Sequence, residues 1–185
     1  MRNAPPLAGD LAKIVPLALL LAVLQVGAAP QFTSEPGAPD LLLVLVVALA
    51  MWRSLELAAV TGFFAGLLLD AMSFSPLGTL SLLYVLAAVG VAWRTAPEPS
   101  RVVPGPPRLS RRLVAWTVAA AVVVQVADAI LHRLLGVAFP VGYLFRAQII
   151  PSVIQTGLVA LVLSPLLRRM FAGAPRTDVS RIATA

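Results

Sequence analysis

The stretch Gly62–Leu80, GFFAGLLLDAMSFSPLGTL, carries the pattern that decides the fold. It places a carboxylate, Asp70, at the end of an apolar run, where a charge is costly unless it has a partner. Ser75 and Pro76 are typical of an N-cap and a first helical residue, so a second apolar helix is predicted to start there. The exposed amides of that helix start can bind the Asp70 carboxylate. We therefore predict a helical hairpin held by Asp70, with ligand binding or proton chemistry at Asp70 as the alternative.

Glycines on both sides of Asp70 indicate close packing of this hairpin. Gly62 and Gly66 form a pair of small residues four apart, which lets a neighbouring helix approach closely where lipid gives no hydrophobic drive for association. Gly78 lies in the turn that follows. We predict Gly62, Gly66 and Gly78 as helix-packing positions.

Outward from this stretch the whole chain is apolar. Of its 185 residues, 59% are hydrophobic and 12% are charged, and its mean hydropathy is +0.93. A soluble domain of this size has too little polar material to cover so much apolar surface. The sequence predicts an all-α integral membrane protein, a six-transmembrane-helix bundle in a single domain. The predicted spans cover residues 11–29, 41–51, 55–69, 77–93, 113–131 and 147–167.

The second and third spans are short and are separated by Trp52, Arg53 and Ser54. One long helix over 41–69 would place Arg53 and Glu56 near the middle of the membrane, which costs ~2.5 kcal/mol or more per charge. Two short tilted spans with a tight cytoplasmic turn avoid that cost.

The basic residues predict the orientation, because loops rich in Lys and Arg stay in the cytoplasm. With six spans, Arg133 and Arg146 lie outside and the other twelve of the 14 basic residues lie inside. A five-span layout divides them more evenly between the two sides, which fits this rule less well, and leaves Arg53 stranded. We predict a multi-pass protein of the bacterial plasma membrane with both termini cytoplasmic. The predicted cytoplasmic residues are Arg2, Lys13, Arg53, Arg94, Arg101, Arg108, Arg111, Arg112, Arg168, Arg169, Arg176 and Arg181.

Two segments outside the spans bear on this layout. Residues 95–112, rich in Pro and Arg, are predicted as a flexible cytoplasmic loop that either orients the chain beside anionic lipid or docks a partner. Residues 168–185 form a short basic cytoplasmic tail. At the other end, Arg2, Lys13 and the small residues 27–29 also resemble a cleavable signal peptide, and cleavage would remove one helix.

Polar residues recur on two predicted spans, in the half that faces outward. Those of span five share one face, those of span six have comparable spacing, and Gln25 of span one lies at the same depth. Because lipid penalises polar groups, they are predicted to converge on the bundle interior or on an outward cavity. Hydrogen bonding between helices, a pocket for a small ligand or lipid headgroup, and a proton relay all stay open. The candidate binding residues are Asp70, Gln125, Asp128, His132, Gln148, Ser152 and Gln155.

Enzyme chemistry finds little support in the residues. Asp70 and Asp128 could form an intramembrane aspartyl pair, but their depth is all that favours it. The chain has one histidine, His132, and no cysteine, so thiolate nucleophiles, disulfides and His-rich metal sets are excluded. We predict no catalytic residue, no metal site and no cofactor. The net charge of +6 is explained by orientation in membrane lipid, so no nucleic-acid partner is predicted.

The Gly62–Leu80 stretch resembles the rod shape-determining protein MreD family. Members carry glycines, an aspartate, a short Ser-rich turn and then Leu-Gly across their third and fourth spans. The last span, IIPSVIQTGLVALVLSPLLRR over residues 149–169, also has the rhythm of the family. The chain departs from the family in its long Pro- and Arg-rich loop and in its Ala-rich first and fifth spans. The matching residues are Gly62, Gly66, Asp70, Ser73, Ser75, Leu77, Gly78, Pro151, Gln155, Pro165, Arg168 and Arg169.

The resemblance implies a fold like the substrate-binding S components of energy-coupling-factor vitamin transporters. It also implies a non-enzymatic scaffold in the elongation machinery for lateral peptidoglycan, with an MreC-like protein, MreB, RodA and penicillin-binding synthases as partners. The alternative is an S component, which should have a deep aromatic-lined pocket. Trp52, Trp93 and Trp116 instead lie near the cytoplasmic ends of the predicted spans, where they are typical of interface anchors, and this favours the scaffold.

Overall fold

The computed structural model describes residues 6–28, 38–73, 76–95, 109–134, 136 and 148–171. Within these ranges the regular secondary structure is helical, in six α-helices. A π-helical turn, Leu24–Ala28, extends the first helix. The helices are α1 (Pro6–Val23), α2 (Leu41–Trp52), α3 (Leu55–Ser73), α4 (Thr79–Thr95), α5 (Leu109–Leu134) and α6 (Ile150–Phe171).

Helices that follow one another in the chain run antiparallel. Along α3 and α4, Gly62 lies against Tyr84 and Gly66 lies against Ser81, so the residue numbers fall on one helix as they rise on the other. At one end of the bundle the side chain of Gln25 reaches Asp40, and at the other Arg53 pairs with Asp10 at 3.0 Å. We call these two ends the polar end and the Arg53 end.

Helix α2 is the centre of the bundle. It packs against all five other helices, and its residues Leu42–Ala50 are fully buried. A 12-residue helix is about 18 Å long, so α2 is shorter than the hydrocarbon thickness of a bilayer, about 30 Å. Burial on every side explains its uniformly apolar sequence.

The predicted all-α membrane fold is confirmed, and the number of crossings is supported in part. Four helical segments are long and apolar enough to span a bilayer, whereas α2 and α4 are shorter apolar helices. Membrane crossing by these two stays a prediction. The four segments are Gly9–Gly27, Leu55–Ser73, Arg111–Leu134 and Ile150–Phe171.

The break between the second and third spans lies where the sequence predicted it. Arg53 has an extended backbone and donates its amide to Leu49 O at 2.8 Å, which ends α2. The Ser54 hydroxyl accepts the Leu57 amide at 3.3 Å, which starts α3. The charged Arg53 is thereby kept at the end of the bundle.

Several predicted boundaries are wrong. Pro76 is not the first residue of α4, because the positive φ of Gly78, 99°, delays the helix until Thr79. The predicted loop 95–112 is too long: Thr95 belongs to α4 and residues 109–112 belong to α5. Residues 168–171 continue α6 rather than forming a tail. Ser75 and residues 96–108 and 172–185 lie outside the described residues.

Tryptophan placement also differs from the prediction in one case. Trp93 is 78% exposed, as an interface anchor should be, but Trp52 is buried. Trp52 ends the central helix α2, so its ring is enclosed by the bundle and is not free to anchor it.

Candidate functional site

Asp40 is the centre of a buried polar network at the polar end. Its side chain caps α2 by accepting the Leu43 amide at 3.0 Å. The Tyr84 hydroxyl of α4 donates to the same carboxylate oxygen, and the Asp40 amide donates to the Thr156 hydroxyl of α6 at 2.9 Å. Asp40 is 7% exposed and Tyr84 is fully buried. One residue therefore joins α2 to α4 and α6.

Gln25 connects α1 to the same network. Its side-chain amide donates to Asp40 at 3.3 Å and accepts the Leu42 amide at 3.0 Å. Gln25 lies in the π-helical turn that follows α1, and such single turns occur often at functional sites. The turn brings Gln25 to the start of α2.

Helices α5 and α6 meet through a second, adjoining chain of hydrogen bonds. Gln125 donates to the Ser152 hydroxyl at 2.9 Å, and Ser152 donates to the Ala38 carbonyl at 2.8 Å. Both residues were predicted to converge from neighbouring spans. Here they anchor the segment that leads into α2.

Asp70 holds the hairpin of α3 and α4, as the sequence predicted. Its carboxylate is fully buried and accepts the amides of Gly78 at 2.8 Å and Leu80 at 3.3 Å. The Thr79 hydroxyl donates to it as well, at 3.3 Å. Both carboxylate oxygens are thus bound to the start of α4.

The three predicted packing glycines have two different roles. A Cβ atom on Gly66 would lie 2.5 Å from the Ser81 Cα, and one on Gly62 would lie 3.1 Å from the Tyr84 carbonyl oxygen. These two glycines let α3 and α4 touch. Gly78 is not a packing residue: an added Cβ would meet nothing within 4 Å. It is needed for its positive φ, which an L side chain rarely adopts.

A cavity of about 330 Å³ lies beside the Asp40 network. Three predicted site residues line it, Gln125, Asp128 and Gln148, whereas Asp70 is not among the lining residues. Ser152 is adjacent through Gln125. The full lining is Gln25, Val26, Ala38, Asp40, Leu69, Ser73, Leu80, Tyr84, Val124, Gln125, Asp128 and Gln148.

The remaining predicted residues are outside this cavity lining. His132 Nδ1 lies 3.3 Å from the Asp128 carboxylate and 3.0 Å from the Asp128 carbonyl, so it is a neighbour of the cavity wall. Gln155 is partly buried, and its Oε1 has no hydrogen-bond partner among the described residues. No cluster of three His, Asp or Glu side chains suited to a metal ion occurs within the described ranges.

Asp40, Tyr84 and Thr156 were absent from the predicted site. Asp40 could have been found, because an Asp directly before an apolar run is typical of a helix N-cap. Thr156 lies four residues after Ser152 in α6, a helical spacing that could have placed it on the same face, whereas Tyr84 gave no such signal.

Together these features define an all-helical multi-pass membrane protein whose buried polar residues bind one another at one end of the bundle. A family model described as rod shape-determining protein MreD matches residues 11–172, nearly the whole chain. The chain therefore belongs to the rod shape-determining protein MreD family, and its role lies in rod-shape determination in the bacterial membrane. No curated protein and no solved structure matches it. The expected likeness to transporter S components thus stays a prediction.

Proposed function

We propose that this chain is a non-enzymatic membrane scaffold of the cell-shape machinery that supports lateral peptidoglycan synthesis. Its proposed partners are an MreC-like protein, MreB, RodA and penicillin-binding synthases. The observation that carries the proposal is the family match over residues 11–172, which includes α2 to α6 in full and most of α1.

The use of the polar residues is consistent with a scaffold. Asp40 and Asp70 accept backbone amides at the starts of helices, and Tyr84 donates to Asp40 from another helix. Their hydrogen bonds join five of the six helices, α1, α2, α3, α4 and α6, in a fixed arrangement, which a platform for several partners requires. We assign no catalytic role to them.

The cavity lining favours a scaffold over an S component. Of the described residues that line the cavity, Tyr84 is the one aromatic, and its hydroxyl is bound to Asp40. A vitamin ring would gain affinity from aromatic stacking, and this cavity offers little of it.

The test is complementation in a rod-shaped bacterium whose own family member is depleted. The wild-type chain should restore rods of normal width, and cross-linking from native membranes should recover an MreC-like protein. Gly66→Leu, which forces α3 away from α4, should fail in both assays. Gly90→Leu is the matched control, because an added Cβ at Gly90 meets nothing within 4 Å.

Two results would contradict the scaffold. One is recovery of a transporter's coupling subunit and ATPases in place of cell-shape proteins. The other is rod shape restored by a Gly66→Leu protein that is present at wild-type level but no longer recovers any partner.

A further inference from the structure

The cavity at the polar end has the size of a small-molecule site. Its volume of about 330 Å³ is at the lower limit of ligand cavities, which run from about 300 to 1,000 Å³. Five of the six helices, or the segments that lead into them, contribute to its wall. The cavity therefore depends on the whole bundle and is not a surface groove of one helix.

The charge of the lining favours a positively charged ligand over a negatively charged one. Asp40 and Asp128 contribute carboxylates, and the described lining residues include no Lys, Arg or His. His132 pairs with Asp128 from outside the lining, and Asp40 is a second carboxyl group in the same wall. Arg133, the residue after His132 on α5, is exposed and is not among the lining residues. A phosphate or carboxylate placed in this cavity would be repelled by like charge.

The hydrogen-bonding groups of the lining restrict which cationic group the ligand carries. The Gln125 Nε2 donates a hydrogen bond to Ser152, and the amide oxygen of Gln125 can accept one. Asp128 has a partly exposed side chain, so its carboxylate is a second acceptor. A primary ammonium supplies three donors for such a set. A trimethylammonium group has no N–H donor and is bound by aromatic cages, which one tyrosine does not form.

Apolar side chains complete the wall. Val26, Leu69, Leu80 and Val124 line the same cavity as the two carboxylates. They match the methylene groups that accompany an ammonium on a short chain.

We propose that this cavity binds a primary ammonium group on a short aliphatic stem. Asp128, whose carboxylate is partly exposed, supplies the charge, and Gln125 supplies a further acceptor. The same chemistry occurs in the ethanolamine headgroup of a lipid and in small soluble amines. The proposal is independent of the scaffold role, because it concerns a bound molecule and not a protein partner.

The first experiment offers the purified full chain an equimolar mixture of phosphatidylethanolamine, phosphatidylcholine and phosphatidylglycerol with identical acyl chains. Native mass spectrometry then counts the lipids retained. The wild type should retain the ethanolamine lipid about tenfold over the choline lipid, the value of one charge-assisted hydrogen bond. Asp128→Asn should abolish the preference, and so should Ser73→Trp, which fills the exposed rim of the cavity.

Glu56→Gln is the control, because Glu56 is an exposed carboxylate in the first turn of α3, at the Arg53 end. It should keep the wild-type preference. Thermal unfolding of each variant shows whether it is folded. If Asp128→Asn does not fold, the lipid preference of Ser73→Trp, a substitution at an exposed position, tests the proposal alone.

The second experiment measures the Tm of the wild type, Asp128→Asn and Ser73→Trp with free ethanolamine or free choline. Preference for the ethanolamine lipid without stabilisation by ethanolamine assigns the site to a lipid headgroup. Stabilisation by ethanolamine that both variants lose, with equal lipid retention, assigns it to a soluble amine. Equal retention with no stabilisation overturns the proposal. A preference for phosphatidylglycerol, or an ethanolamine preference that survives both substitutions, overturns it as well.

Discussion

Asp40 and Asp70 are stabilised by the same kind of contact. Each carboxylate is buried and binds backbone amides at a helix start, that of α2 for Asp40 and that of α4 for Asp70. These amides have no partner within their helix, and the helix dipole favours negative charge there. A carboxylate near the bilayer is thereby stabilised without a basic partner.

Replacing Asp70 by Ala should destabilise the α3–α4 hairpin. The substitution leaves the buried amides of Gly78 and Leu80 without their acceptor, a loss of about 3 kcal/mol. Thermal unfolding in detergent should show a lower Tm and weaker recovery of partners. Ser73→Ala, one turn further along α3 and exposed, is the control and should unfold like the wild type. An unchanged Tm and full partner recovery for Asp70→Ala would count against this role.

Replacing Tyr84 by Phe should weaken the contact between α2 and α4. Phe keeps the ring but removes the hydroxyl that donates to Asp40, at a cost of about 1–2 kcal/mol. Chemical unfolding should show this loss, and the loss should be smaller when Asp40 is already Ala, because either change alone removes the contact. Thr61→Val removes a buried hydroxyl whose partner is the Leu57 carbonyl of its own helix and should have little effect. Additive losses would show that the two side chains are not coupled.

At the scale of helices, the sequence predicted the elements better than their ends. Apolar runs broken by Arg53 and by the Ser–Pro–Gly turn located all six helices, since lipid requires helical backbone over such runs. The start of α4 was misplaced because Pro76 looked like a first helical residue, while the φ of Gly78 decides the boundary. Central α2 has no amphipathic pattern to reveal its neighbours.

The sequence predicted part of the candidate site and missed the part that depends on tertiary packing. Gln125 and Ser152 are polar residues at helical spacing on their spans, and this predicted a shared interior face. The Asp40 network joins residues as far apart as Asp40 and Thr156. The helix that Tyr84 contacts is determined by tertiary packing, which the spacing of polar residues in the sequence does not predict.

The α3–α4 contact predicts a graded effect of adding one methyl group. Gly66→Ala should destabilise most, because its Cβ would lie 2.5 Å from the Ser81 Cα and the backbones must separate. Gly62→Ala should cost less, since its nearest contact is 3.1 Å, and Gly90→Ala should be tolerated. Unfolding temperatures of the three variants provide the order. Equal effects at Gly66 and Gly90 would show that α3 and α4 do not touch at this point.

At the scale of the molecule, the alternating helix directions place the two ends of the bundle in different settings. The Arg53 end carries Asp10, Arg53 and Arg94, while the polar end carries Asp40 and Asp70 with the cavity beside them. That the polar end faces outward stays a prediction from the basic residues.

Cysteine labelling can test that orientation and the crossing of α4 together. The chain has no cysteine of its own, so Pro76→Cys and Arg94→Cys each introduce a single thiol. Both positions are exposed, and they flank α4, whose 17 residues are about 26 Å long. In intact spheroplasts an impermeant maleimide should label Pro76→Cys, and it should label Arg94→Cys only after the membrane is permeabilised. Labelling of both thiols from outside would show that α4 does not cross the membrane. Labelling of Arg94→Cys alone would reverse the orientation and place the cavity on the cytoplasmic side.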